Sequence, residues 1–256
     1  MAELAGPEAG TVHVWWARRQ DASDRHAGLL DGTEQQRWAA YRRDADRERF
    51  LVGCALAKTV LAGYAGLRPA DVHFDRTCAQ CRRPHGKPVL AGSALSHSVT
   101  HSGDLVAVAV ARTPVGVDVE QLDGRVRPLG GDGDTQALAR LVLADDEQAA
   151  LAAVRPSARA REFLTAWTRK EAVTKATGDG LRVSFSDVVI VTDEGVPRLV
   201  AWPYPEPPDS VSLMDLEAAA GYVAALAVLG RCDTVRARDG SALLAAAGRA
   251  GQLPFP

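Results

Sequence analysis

Two acidic side chains stand two residues apart in Gly116-Val117-Asp118-Val119-Glu120. Read as a strand, the segment sends Val115, Val117 and Val119 to one face and Asp118 and Glu120 to the other. The acidic pair then has Cα atoms about 7 Å apart, at roughly 3.3 Å rise per residue. Carboxylates this close repel unless a cation lies between them, and hard oxygen donors suit magnesium. A strand with a solvated polar face reads the same way, so the pair alone decides nothing. A second segment changes the balance. After Arg159, the residues Ala160, Phe163, Leu164 and Trp167 form an apolar stripe at helical spacing. Continued by four and then eight residues, the stripe reaches Glu171 and Lys175. Burying those charges unpaired costs several kcal/mol each, so the pattern predicts partners for them. Glu171 would join Asp118 and Glu120 around Mg²⁺, and Lys175 would meet a nearby phosphate. The competing arrangement is an exposed Glu171–Lys175 pair along one helix, which the shared face with Phe163 and Trp167 argues against.

Other chemistry-bearing residues lie upstream. Gly86-Lys87-Pro88 places a cation between turn-forming residues, and Thr100-His101-Ser102-Gly103 offers a hydroxyl, an imidazole and open backbone N–H groups before a strand. Both suit an anion. His97 and His101 are four apart, but no glutamate follows His97, so a zinc-protease motif fails at the position of its base. Cys78 and Cys81 form a C-x2-C pair with His73 before it and His85 after. Zinc uses that spacing, and a disulfide or free thiols fit it too. The missing second knuckle favours a loop with two free thiols. Cys54 and Cys232 read as inert thiols.

The elements that must position these groups follow from periodicity. Strands are expected at Thr11–Ala17, Leu105–Val110, Val115–Glu120, Asp187–Thr192, Arg198–Trp202, 211–216 and 221–229. Helical patterns cover 33–64, with Thr33 a candidate cap, then Gln136–Leu143, Asp145–Val154 and Ser157–Thr177. Gly178-Asp179-Gly180 stops the last of these. Asp193–Pro197 reads as a hairpin turn, Pro203–Pro208 as a stiff connector, and Ser241–Ala250 as a terminal helix or a frayed end. The class is α+β, with two subdomains, 1–115 and 116–256, each a small, mainly antiparallel sheet packed with helices. The 256 residues suffice for a substantial core, and a formal charge of −2 leaves no footprint for nucleic acid. No apolar run approaches a membrane span and no secretory signal is visible, which points to a cytoplasmic protein.

Four blocks then occur in order: Gly86-Lys87-Pro88; Val99-Thr100-His101-Ser102-Gly103-Asp104; Gly116-Val117-Asp118-Val119-Glu120; and Phe163-x3-Trp167-x2-Lys170-Glu171-Ala172-x2-Lys175-x2-Gly178-x-Gly180-Leu181. Together, over about residues 35–230, they resemble the Sfp-type 4′-phosphopantetheinyl transferases. The resemblance implies transfer of 4′-phosphopantetheine from coenzyme A to a serine of an apo acyl or peptidyl carrier protein, releasing 3′,5′-ADP. It also implies a monomer of two similarly folded, pseudo-twofold halves with the active site between them. Asp118, Glu120 and Glu171 take the metal-ligand positions, for Mg²⁺. Glu171 (the general base), Lys175 (on the pyrophosphate) and His101 are the catalytic set. Gly86, Lys87, Pro88, Thr100 and His101 fall on the 3′-phosphoadenosine side, with Arg43 and Arg49 as the arginine contacts. Thr100 stands where serine is usual and keeps a hydroxyl. The Cys78–Cys81 loop and the chain past residue 230 have no counterpart in the family pattern. The loop Asp123–Thr135, with Arg125 and Arg127, is the candidate for docking an acidic carrier. Rival readings are a Mg-dependent hydrolase of a pyrophosphate or phosphodiester, and a non-catalytic coenzyme A-binding protein.

Overall fold

β-Branched alternation at the start of the chain produces β1 (Thr11–Arg18), followed by α1 (Asp24–Ala27), α2 (Gly32–Ala40) and α3 (Asp44–Ala65). The chain continues through β2 (Phe74–Asp75), β3 (Val89–Leu90), β4 (Ser96–Ser102), β5 (Leu105–Ala111) and β6 (Val115–Gln121). Three helices come next, α4 (Gly133–Val142), α5 (Asp145–Ala153) and α6 (Pro156–Thr177). The remainder is β7 (Val189–Asp193), β8 (Val196–Ala201), β9 (Val211–Asp215), β10 (Tyr222–Leu229), β11 (Thr234–Asp239) and α7 (Gly240–Ala250). This computed structural model describes residues 4–78, 81–122, 133–204 and 210–250. Arg125 and Arg127, and most of the connector after Pro203, lie outside the described residues.

The chain forms two units, one running to Arg112 and resumed from Cys232, the other Thr113–Arg231. The sequence places the seam near residue 115 and assigns everything after it to the second half. In the structure the final strand and helix belong to the first unit, because β11 adds to its sheet.

In the first unit the sheet order is β11-β1-β5-β4. β1 is antiparallel to β5 (His13 opposite Val110) and parallel to β11 (Thr11 opposite Thr234). Every residue of β5 is buried, as its unbroken apolar run requires. β11 (TVRARD) is largely exposed, and its two alternating apolar residues, Val235 and Ala237, are too short a pattern to announce it. The apolar side of α3, including Val52, Leu56 and Val60, packs on Val106, Val108 and Val110. The expected helical stretch at 33–64 is two helices broken at Tyr41–Arg43. Its first cap is Asp31 rather than Thr33. The Asp31 carboxylate accepts from Glu34 N–H at 2.8 Å while Glu34 accepts from Asp31 N–H at 2.9 Å, a reciprocal capping box. Glu34 is then fully buried and pairs with Lys58 at 2.8 Å and Arg76 at 2.5 Å.

In the second unit, β6, β10 and β9 form an antiparallel sheet with Asp118 opposite Ala225 and Val119 opposite Ala224. The β7–β8 hairpin turns at Glu194 and Gly195, both at positive φ (49° and 80°), the geometry of a type I′ turn. α6 lies on this sheet through Ala172, Val173 and Ala176 against Ala225 and Ala227. Its earlier turns bury Phe163 and Leu164 with Val142, Leu143 and Phe185. Gly178, at φ 84°, ends the helix with its N–H on Thr174 O at 3.0 Å. α3 and α6 each run 22 residues and stop at a left-handed glycine.

Candidate active site

Among the glycines described for the second unit, Gly116 has the least room for a side chain. A Cβ there would stand 1.9 Å from Ala172 O and 2.5 Å from Ala176 N. Only a residue without a side chain allows α6 to lie directly on β6 at this point. That contact puts Asp118, two residues along the same strand face, against the next turn of α6. Lys175 Nζ donates to Asp118 Oδ1 at 2.6 Å and reaches Val117 O at 3.3 Å. The intrahelical alternative for Lys175 is therefore not its main engagement. Asp118 is only 4% exposed, so the face it occupies is not solvated.

Glu171 lies one turn before Lys175 on the same side of α6. Burial, above all, raises its pKa; the nearby Lys175 ammonium opposes the rise, and repulsion from Asp118 adds to it. Each of the three charges is thus within electrostatic reach of the others. Glu120 is half-buried and shares the β6 face of Asp118, two residues nearer the strand end, opposite Val223. Two carboxylates held together with a third on the same strand face are a poor arrangement unless a cation joins them, and their oxygens are the donors a hard divalent ion takes.

Two cations that sequence reasoning did not assign fix how α6 presents Glu171. Lys170 is fully buried. Its Nζ donates to Val142 O at 2.8 Å, to Phe185 O at 2.9 Å and to Glu147 Oε2, whose carboxylate also accepts from Ala144 N–H and Ile190 N–H. Arg169 makes a two-pronged pair with Asp215 on β9 (2.8 and 2.7 Å) and donates to Thr192 on β7 at 2.9 Å. The residues immediately before Glu171 therefore tie α6 to five other segments. The signal was available in Lys170, which lies one helical turn from the apolar Ala166, Trp167 and Val173 in the middle of a long helix.

The upstream candidates lie in the first unit. Lys87 is largely enclosed, and burial lowers its pKa to about 8. It lies close enough to the buried His97 that its charge adds to the burial holding that imidazole neutral, at about 3. Along β4, His97 and His101 share one face while Thr100 faces the other side of the sheet. Thr100 is buried and His101 exposed. Gly86 and Pro88 flank Lys87 and are half-buried. Arg49 donates to Gly103 O at 2.7 Å and pairs with Asp46, so it braces the turn that follows His101. Arg43 is exposed at the N-cap of α3.

A family profile described as the 4′-phosphopantetheinyl transferase superfamily matches residues 114–227, the stretch holding Asp118, Glu120, Glu171 and Lys175. The 4′-phosphopantetheinyl transferase HetI of Nostoc sp. is 31% identical over 209 residues, covering 80% of this chain and 80% of that protein. A Bacillus subtilis 4′-phosphopantetheinyl transferase is 27% identical over 176 residues (67% of this chain, 71% of that one), and Sfp of Bacillus subtilis strain 168 is 23% identical over 163 residues (63% and 66%). Among solved structures, a holo-[acyl-carrier-protein] synthase from Neisseria meningitidis aligns with a TM-score of 0.38 at 26% identity, over 45% of this chain and 95% of that one. By class, then, the protein is a transferase. It belongs to the 4′-phosphopantetheinyl transferase superfamily.

Proposed function

We propose that this protein transfers 4′-phosphopantetheine from coenzyme A to a serine hydroxyl of an apo acyl or peptidyl carrier protein, acting as a Mg²⁺-dependent monomer and releasing 3′,5′-ADP. The observation that carries the reading is the gathering of Asp118, Glu171 and Lys175 where α6 meets β6 at Gly116, inside the stretch that matches the family.

Asp118, Glu120 and Glu171 are the residues to hold the metal. Bound there, Mg²⁺ would neutralise and polarise the diphosphate. Lys175 holds negative charge on the departing 3′,5′-ADP. Glu171 accepts the serine proton at its carboxylate as the serine Oγ–phosphorus bond forms and the bond to the bridging oxygen breaks. Its raised pKa suits that role, because a stronger base takes the proton more readily; such help contributes about 10²–10⁴ in rate. Lys87 and His101, on one side of β4, together with Thr100, Gly86, Pro88, Arg43 and Arg49, are assigned to the 3′-phosphoadenosine end. No described helix is long and apolar enough to cross a membrane.

The test is incubation with coenzyme A, Mg²⁺ and an apo carrier protein, followed by mass spectrometry of the carrier. A gain of one phosphopantetheine group is expected. Coenzyme A hydrolysed without carrier would favour a hydrolase, and binding without either product a non-catalytic protein.

A further inference from the structure

The Cys78–Cys81 loop takes no part in the chemistry above. Its described residues, Cys78 and those from Cys81 on, are held by backbone hydrogen bonds. Cys78 N–H donates to Arg83 O at 2.8 Å and Arg82 N–H to Cys78 O at 2.9 Å, so Cys78 is held beside the residues that follow Cys81. Arg82, directly after Cys81, lies at φ 61°, a left-handed conformation that strains any residue with a side chain. The other non-glycine at positive φ among the described residues, Glu194, is explained by its hairpin turn. The base of the loop is pinned as well. Gly86 N–H donates to Arg76 O at 2.7 Å, and a Cβ on Gly86 would stand 2.9 Å from Thr77 O. Arg76 is itself anchored on the buried Glu34.

The outcome of this folding is that the sulfurs of Cys78 and Cys81 and a ring nitrogen of His85 all lie within 4.8 Å of one another. Cys78 is buried, Cys81 and His85 exposed, and Cys81 Sγ contacts His85 Nε2 at 2.8 Å. Tetrahedral zinc holds two thiolates about 3.8 Å apart and a thiolate and an imidazole nitrogen about 3.5 Å apart. The three atoms are therefore already gathered on that scale, and the Cys81–His85 contact need only open by under about 1 Å. From Thr77 to His85 the sequence TCAQCRRPH offers almost nothing apolar to bury. A strained loop without a core is the setting in which a metal supplies the missing cross-link.

We propose that Cys78, Cys81 and His85 bind one zinc ion, with water in the fourth position. Binding releases the two thiol protons, and two thiolates with a neutral imidazole balance the 2+ charge. The donors are soft, unlike the all-oxygen set of Asp118, Glu120 and Glu171, so the two sites select different metals. His85 immediately precedes Gly86-Lys87, and the zinc site therefore sets where Lys87 enters the structure. The proposal goes beyond the transfer reaction and does not depend on it.

The experiment uses the full chain, reduced, dialysed against zinc and then against metal-free buffer, with zinc counted by plasma mass spectrometry. One zinc per chain is expected. Replacement by Co²⁺ should give a thiolate-to-cobalt charge-transfer band in the near ultraviolet, a signature that an oxygen-only site does not produce. Cys81→Ser and His85→Ala, both at exposed positions, should each lose the band and most of the metal, while Glu171→Gln keeps both. Absence of zinc from the wild type, a cobalt spectrum without the thiolate band, zinc retained by the Cys81→Ser/His85→Ala double variant, or recovery of Cys78 and Cys81 as a disulfide would each overturn the site. Zinc bound to a protein without transferase activity would sink only the proposed function, and activity in a zinc-free protein only this inference.

Discussion

Gly116→Ala is the smallest change that tests whether the α6–β6 contact positions the chemistry. The added Cβ would start 1.9 Å from Ala172 O and 2.5 Å from Ala176 N, whereas such atoms essentially never approach within 3.0 Å. Both obstacles are backbone, so no side-chain rotation relieves the clash. Strand and helix must separate by about 1.1 Å at this point. The Lys175–Asp118 hydrogen bond, 2.6 Å long, is adjacent and would stretch beyond hydrogen-bonding range, and Glu171 would recede with it. Overpacking of this kind costs about 1–3 kcal/mol, and a 1 Å misplacement at a reacting centre costs about 10²-fold in rate. The assays are urea unfolding and kcat/KM for carrier modification, measured where the variant is fully folded. A loss of stability and a fall of about 10²-fold in kcat/KM are expected together. A folded variant, destabilised or not, that turns over within about threefold of wild type would refute the claim that this contact sets the catalytic geometry.

Glu171→Gln should leave coenzyme A binding largely intact and lower turnover by about 10²–10⁴, and the rise of wild-type rate with pH through the raised Glu171 pKa should vanish in the variant. In metal-free protein the raised pKa means that the native state holds the Glu171 proton more tightly than the unfolded chain does. That stabilisation is present below the ordinary value of 4.5 and lost as pH rises through the elevated one, so added Mg²⁺ should raise Tm more at neutral than at acidic pH; equal increments would contradict the shared carboxylate site. Lys170→Met should destabilise by about 3–5 kcal/mol in denaturant titrations because Glu147 keeps its charge without the ammonium, and pairing it with Glu147→Leu should recover part of the loss. Lys87, with its pKa lowered to about 8, should bind 3′,5′-ADP more weakly as pH rises past that value, a dependence that calorimetry should find abolished in Lys87→Met.

Much of this was legible before any coordinates. Glu171 and Lys175 stand out because charges occupy positions that periodicity reserves for apolar residues, Asp118 because it stands two residues from Glu120 on one strand face, and the structure brings Asp118, Glu171 and Lys175 together. The alternating Val115, Val117 and Val119 are all fully buried, as strand geometry requires. Three things escaped. β11 offers only Val235 and Ala237 as apolar residues in a largely exposed segment, and its parallel pairing along the edge of β1, rather than a strong pattern of its own, marks it as a strand. The buried Glu34–Lys58–Arg76 cluster joins residues more than 20 positions apart, and Lys58 sits on a stripe that otherwise reads as apolar. Lys170 was visible as an anomaly, but its partners come from three separate segments that no local spacing connects.

The parallel pairing of β1 with β11 has a consequence for biosynthesis. The ribosome delivers β1 first and β11 only after all of Thr113–Arg231 has been made. Throughout that interval one flank of β1 exposes unmet amide and carbonyl groups, a template for adhesion to other nascent chains. The second unit, by contrast, is contiguous and can mature while the first still waits for its closing strand. Release of a chain shortened before Cys232 would therefore leave the catalytic segment intact beside a permanently unfinished sheet.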